Sequence, residues 1–174
     1  GHVFALSPMV EKGIIRLLPI CKTNARSAAL ISFTTLIISW FNWGLGLVFG
    51  AIFCKKLLEY AHDKKLPLNV GLIGAAGYCG LMVWHGGISG SSLIKIAEPG
   101  HLATLVNPQY EYQVPHLIDF KSTVFSSSNL IITAILFLVL PLTIYFIGKK
   151  VQTQIPEGYK RSSKKIINKK LIGA

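Results

Sequence analysis

Two short polar motifs interrupt apolar stretches of this sequence, and both could bind a small anion. The first is Asn42-Trp43-Gly44, in the middle of 28 residues that carry no charged side chain. The second runs from Trp84 to Ser92 and holds three glycines and three serines in nine residues. An Asn amide, serine hydroxyls and backbone N–H groups left accessible by glycine are neutral hydrogen-bond donors. Because anions such as carboxylates accept from such donors, the pattern indicates a site for a small anion.

Each motif also has a purely structural interpretation. Asn42 could mark a kink where its amide bonds a neighbouring helix, and unwound carbonyls near it could face a cation instead of an anion. The second motif could be a flexible interfacial loop. His85 is ionisable inside an apolar stretch, which favours a functional role such as proton transfer, with a hydrogen-bonded structural histidine as the alternative. The candidate ligand-binding residues are Asn42, Trp43, Gly44, Trp84, His85, Gly86, Gly87, Ser89, Gly90 and Ser91.

The elements that hold these motifs are predicted to lie in a membrane. Charged residues make up 14% of the chain, against about 25% in a typical soluble domain. Three stretches of 28, 29 and 27 residues contain no Asp, Glu, Lys or Arg. Because about 18 consecutive apolar residues already indicate a membrane segment, the sequence predicts an all-α polytopic membrane protein in a lipid bilayer. This distribution does not match a nucleic-acid-binding domain, which would spread its basic residues along one face.

The sequence shows no pattern typical of an enzyme. It lacks a recognisable Ser-His-Asp set, a pair of carboxylates at catalytic spacing or a group of metal ligands. The three cysteines have no C-x-x-C spacing, and we interpret them as small buried apolar residues. We therefore expect a protein that is not an enzyme and holds no cofactor, apart from a coupling ion (Na⁺ or H⁺) if it is a carrier.

The first apolar stretch is too long for one simple crossing. As a single helix it would measure roughly 42 Å, against a hydrocarbon core of about 30 Å. Its polar and flexible residues lie in the middle, at Asn42 to Gly46. A re-entrant hairpin with Asn42-Trp43-Gly44 at its tip fits the length, and one long tilted transmembrane helix is the alternative.

The distribution of Lys and Arg supports the hairpin independently. Basic residues in short loops mark the cytoplasmic side. The four charged segments carry four, four, two and eight of them, in chain order. If the first apolar stretch turns back, sixteen of the eighteen lie on one side; if it crosses, four of these sixteen move to the other side. The predicted segments are an amphipathic interfacial piece (1–26), the hairpin (27–54), a cytoplasmic basic loop (55–65), a broken transmembrane helix (66–94), an extracytoplasmic loop (95–121), a full transmembrane helix (122–148) and a basic cytoplasmic linker or tail (149–174).

At these motifs the sequence resembles the short-chain fatty acid transporter family. The resemblance implies a carrier with inverted repeats, in which a re-entrant hairpin and a following broken helix form half of the substrate site. It also implies that the chain corresponds to part of the N-terminal half of a longer protein. The runs that carry the resemblance are FNWGLGLVFGAIF, GAAGYCGLMVWHGGISGS and SSSNLIITAILFLVLP.

The resulting prediction is a multi-pass carrier of the bacterial inner membrane that takes up monocarboxylates such as acetoacetate or butyrate. Ser89 and Ser91 would donate hydroxyl hydrogen bonds, Gly86, Gly87 and Gly90 would expose backbone N–H groups, and Trp43 and Trp84 would enclose the acyl chain. Its partners would be the substrate, the bilayer, the rest of the carrier and, in a homo-oligomer, further copies. The alternatives are a carrier of dicarboxylates or other anions, and a truncated membrane subunit that does not transport. Because the site contains no Lys or Arg, a single carboxylate is favoured.

Overall fold

Helices form most of the part of the chain that the computed structural model describes, residues 8–153. Residues 1–7 and most of the predicted tail, from residue 154 onward, lie outside the described residues. The α-helices are α1 (Pro8–Leu17), α2 (Asn24–Phe41), α3 (Trp43–Asp63), α4 (Val70–Tyr78), α5 (Ser91–Ile96), α6 (His101–Thr104) and α7 (Ser127–Lys150). Short 3-10 turns lie at Leu18–Ile20, Cys79–Met82, Trp84–Gly86 and Pro108–Gln113.

A single residue, Asn42, separates α2 from α3. The Asn42 backbone is extended (φ −152°, ψ 111°), and its side chain caps the start of α3. The two helices then pack against each other in opposite directions. A methyl group added at Gly46 would lie 2.8 Å from the Ser39 Cα, and one added at Gly50 would lie 3.0 Å from the Thr35 Cγ2. Glycine at these positions therefore permits the close contact that holds the antiparallel pair together.

Helix α3 continues beyond the first apolar stretch. Residues 55–63 of the segment predicted as a basic loop are helical, because Lys, Leu, Glu and Ala are good helix formers. The helix ends at Asp63, and Lys65 has a positive φ of 53°. The Lys56 Nζ lies 2.7 Å from a carboxylate oxygen of Glu11, which joins α3 to α1 on the surface.

The second apolar stretch starts as an α-helix and then loses regular structure. Asn69 caps α4 by accepting from the Leu72 N–H (2.8 Å), and α4 is followed by two 3-10 turns. From Gly87 to Gly90 the chain is irregular until α5 begins. Glycine is frequent here and lowers helix propensity, which gives a physical reason for the break.

Helix α7 has an inverted distribution of polar and apolar side chains. Its fully buried residues are Thr133 and Gly148, whereas large apolar side chains such as Leu138 and Ile131 are about 60% exposed (65% and 59%). A soluble protein would bury the latter and expose the former. α7 is also the one helix in the described residues that is long and apolar enough to span a membrane. The described chain has no β-strand, which agrees with an all-α membrane protein.

Candidate functional site

Asn42 organises the tip of the hairpin through its side chain and backbone. Its N–H donates to the Ile38 carbonyl (2.9 Å) and so ends α2. Its Oδ1 accepts from the Leu45 N–H (2.8 Å), the usual arrangement of an N-cap. The amide NH₂ group of Asn42 therefore remains a donor at an exposed position.

The first turn of α3 leaves one backbone donor unused. Helices begin with N–H groups that have no partner inside the helix. The Trp43 N–H donates to the Ser89 Oγ (2.9 Å), and the Leu45 and Gly46 N–H groups donate to Asn42. The Gly44 N–H has no acceptor among the described residues. It points from the positive end of a 21-residue helix and is a donor for an anion.

The broken segment is hydrogen-bonded to this tip. Besides the bond between Trp43 and Ser89, the Ile88 N–H donates to the Trp40 carbonyl (2.8 Å). Gly87 makes the approach possible, because a methyl group there would lie 3.0 Å from the Trp40 Cα. The Ser89 oxygen is held as an acceptor, which leaves its O–H available to donate. The two motifs thus form one unit although 46 residues separate Trp43 from Ser89.

Aromatic rings border the same place. The Trp43 and Trp84 rings have centroids 5.4 Å apart and a 48° angle between their planes. His85 stacks beside Trp84, with ring centroids 3.9 Å apart, and its side chain is exposed. Trp43 is 41% exposed, so part of its apolar face is accessible to a ligand. These rings give the unit an apolar side next to its hydrogen-bond donors.

Two of the three glycines of the broken segment, Gly87 and Gly90, act differently from the expectation that they expose their N–H groups. The Gly87 N–H donates to the Trp84 carbonyl and the Gly90 N–H to the Gly87 carbonyl, both at 3.1 Å. These bonds close tight turns, so the two residues provide close packing and no accessible donor. Ser91 begins α5 and is exposed, and it makes no hydrogen bond to the tip within the described residues. The structure therefore brings Ser89, but not Ser91, to the hairpin.

Asn129 is a residue that sequence reasoning did not assign to the site. Its Nδ2 donates to the Gly86 carbonyl and to the Val124 carbonyl, both at 2.8 Å. It thereby fixes the broken segment to the first turn of α7. The serines before it indicate a helix start, and Ser126 does cap α7, so the local pattern hid the long-range bond. The one indication in the sequence was a polar amide side chain close to the start of an apolar stretch.

No charged side chain belongs to the unit formed by the tip and the broken segment. Neither apolar stretch that supplies it contains Lys, Arg, Asp or Glu. The arrangement can hold a small anion by dipoles and hydrogen bonds alone, beside an apolar surface.

Comparison with known proteins gives the family of this chain. The profile of the family described as "Short chain fatty acid transporter" matches residues 1–170. The chain belongs to the short-chain fatty acid transporter family. This confirms the family that the sequence motifs indicated.

Two relatives share this family's description. A Haemophilus influenzae protein named "Putative short-chain fatty acid transporter" is 34% identical over 151 residues, which cover 86% of this chain and 32% of the relative. An Escherichia coli K12 protein of the same name is 32% identical over 141 residues, which cover 81% and 29%. The chain thus spans about a third of the length of these curated relatives. No solved structure matches it.

Proposed function

We propose that this chain forms part of an inner-membrane carrier that takes up short-chain monocarboxylates, of which acetoacetate and butyrate are examples. Uptake is coupled to H⁺ or Na⁺ and proceeds by alternating access. The names of the two relatives support transport of short-chain fatty acids. The coupling and the alternating-access cycle follow from the resemblance to the family, and the assignment of the binding site follows from the geometry of the tip.

The observation that carries the proposal is the convergence of unused, uncharged donors where the hairpin meets the broken segment. The Gly44 N–H and the Asn42 NH₂ lie at the tip, and the Ser89 O–H is tied to it through the Trp43 N–H. A carboxylate can accept from all three. Neutral donors bind an anion without making it hard to release, which suits a transported substrate more than a permanently held one.

The surroundings favour a small acid with a single carboxylate. Trp43 and Trp84 present apolar surface for a short acyl chain. A second carboxylate on the ligand would lie against this apolar surface without a cationic partner, because the two stretches that form the site contain no Lys or Arg. Placing an unpaired charge there is unfavourable. A dicarboxylate carrier of similar architecture is therefore the less favoured alternative.

The packing of the helix ends supports the predicted orientation. The described parts of the three segments predicted to be cytoplasmic meet at one end of the described structure. Lys56 pairs with Glu11, the Asn69 N–H donates to the Asn24 Oδ1 (2.7 Å), and the Asn69 side chain donates to the Gln152 carbonyl (3.1 Å). Gathering basic segments at one membrane face follows the positive-inside rule, with the hairpin tip directed away from that face.

Uptake of radiolabelled butyrate by the full-length protein in proteoliposomes tests the proposal. We expect Ser89→Ala and Asn42→Ala to lower uptake about tenfold each, because each removes one donor to the carboxylate. Ser92→Ala is the matched control, since Ser92 is exposed on α5 and its loss should leave uptake unchanged. Uptake that is unchanged in both site variants would overturn the site. Running the assay with a pH gradient and then with a Na⁺ gradient identifies the coupling ion.

A further inference from the structure

A second polar region lies at the opposite end of α2, where α2 begins and α7 ends. A cavity of about 630 Å³ opens there. Gly148 lets the two helices meet closely, because a methyl group on it would lie 2.7 Å from the Ala25 Cα. The cavity is lined by residues from three places in the chain, 22–26, Pro67 and 145–153, so it exists only in the folded protein.

The charged residues that line this cavity all have the same sign. They are Lys22, Arg26 and Lys149, and no carboxylate from the described residues lines it. The ion pairs found in the described part of the chain use other cations, so these three are not neutralised by a neighbouring Asp or Glu. The Lys149 Nζ lies 4.8 Å from the centre of the Tyr145 ring, which places it beside the cavity. This charge favours an anion.

The start of α2 adds a second attraction for an anion. Thr23 caps the helix: its Oγ1 accepts from the Arg26 N–H (3.3 Å), and its carbonyl accepts from the Ser27 N–H (2.9 Å). The backbone N–H groups of Asn24 and Ala25 have no acceptor inside the helix. They lie at the positive end of an 18-residue helix. The carbonyl end of α7 borders the same cavity, and Lys149 offsets its partial negative charge.

The side chain of Asn24 gives an independent indication of a ligand. Asn24 is 2% exposed and lines the cavity. Its oxygen must face the Asn69 N–H, because a backbone N–H can only donate. Its Nδ2 therefore points elsewhere, and this atom is buried without a hydrogen-bond partner. Buried polar groups are almost always paired, so the wall of the cavity contains a donor that the described chain leaves unpaired.

We infer that this cavity binds the phosphate of an anionic lipid headgroup. Phosphate oxygens match the donor set of guanidinium, ammonium, amide and helix N-terminus. Free phosphate offers the same chemistry. The lipid is favoured because Leu142, Phe146 and Ile147 expose apolar side chains on the last turns of α7, next to the cavity, where acyl chains would lie. The inference rests on the membrane placement in the proposed function and is independent of the carboxylate site.

The test measures lipid retained by the purified full-length protein in neutral detergent. Phosphatidylglycerol and phosphatidylcholine with the same acyl chains are titrated separately, and bound lipid is counted by native mass spectrometry. We expect a preference for phosphatidylglycerol that falls about thirtyfold in Lys22→Gln/Arg26→Gln, since each of the two basic residues near a membrane surface contributes about 1 kcal/mol. Lys149→Gln, on the other helix, should lower it less.

The control variant removes the same charge elsewhere. Lys12→Gln/Lys64→Gln changes two exposed lysines outside the cavity and should leave lipid retention unchanged. Equal loss of bound lipid in both double variants would overturn the inference, because it would show that only the net charge of the protein attracts the lipid. Equal retention of the two lipids, or full displacement of phosphatidylglycerol by inorganic phosphate, would overturn the lipid assignment. Butyrate uptake by the same variants separates failure of this site from failure of the carrier proposal.

Discussion

The two ends of α2 show two ways to attract an anion. At the end of α2 near Phe41 the donors are neutral: an amide, a hydroxyl and a backbone N–H. At the start of α2, about 27 Å away, the donors include the charged side chains of Lys22, Arg26 and Lys149. The neutral set suits a ligand that must leave during each transport cycle, whereas the charged set suits a ligand that stays. The difference shows that charge content separates a proposed transport site from a proposed anchoring site on the same helix.

Among the predictions on uptake, the largest effect is expected from breaking the contact that builds the neutral end. Gly87→Ala places a methyl group against the Trp40 backbone, which cannot move without displacing α2. We expect butyrate uptake to fall more than about tenfold and the melting temperature to drop, as for other substitutions that overpack a close contact. Gly74→Ala is the matched control, because nothing lies within 4 Å of a methyl group there. Equal uptake in the two variants would show that the contact is dispensable.

A smaller effect is expected from the residue that holds the broken segment to α7. Asn129→Ala removes both hydrogen bonds to the Gly86 and Val124 carbonyls without touching the tip. We expect butyrate uptake at low substrate concentration to fall about fivefold, because each of the two bonds contributes roughly 0.5 kcal/mol at the low end of the usual net range. Ser128→Ala, at the exposed neighbouring position, should be neutral. Normal uptake by the Asn129→Ala variant would show that Asn129 contributes only to local packing.

The smallest effect is expected on the KM for butyrate when basic residues at the charged end of α2 are replaced. Lys22→Gln/Arg26→Gln should leave the KM for butyrate within about twofold, because charges roughly 27 Å away exceed the screening length of about 8 Å at physiological salt. The measurement is the KM in proteoliposomes of one fixed lipid composition. A large rise in KM would contradict the division of roles between the two ends.

The sequence predicted the tip of the hairpin more successfully than the roles of its atoms. Length and charge distribution pointed to a turn at Asn42, and the structure has α2 and α3 packed in opposite directions around it. Which atoms face each other in three dimensions decides that the cap uses the oxygen of Asn42 and that the Gly44 N–H stays unused. Glycine content alone could not distinguish free N–H groups from the tight turns that Gly87 and Gly90 form.

Long-range contacts were beyond sequence reasoning for the same physical reason. Asn129 lies 43 residues from Gly86, and its position three residues after Ser126 is typical of an ordinary helix start. The basic cavity joins Arg26 to Lys149, far apart in the chain, and the count of basic residues indicated only the predicted membrane orientation. In both cases the helix packing determines the neighbours.

The most direct test of the neutral carboxylate site is equilibrium binding of labelled butyrate to the full-length Asn42→Asp protein. Asp caps helices as well as Asn does, so the Leu45 N–H keeps its acceptor while the neutral donor becomes a negative charge. The control is Asn107→Asp, the same change at a cap in the loop, where the Gln109 N–H donates to Asn107 (3.2 Å). We predict that Asn42→Asp weakens butyrate binding about a hundredfold through like-charge repulsion, with Asn107→Asp unchanged. Unchanged binding in Asn42→Asp would contradict a carboxylate site at the hairpin tip.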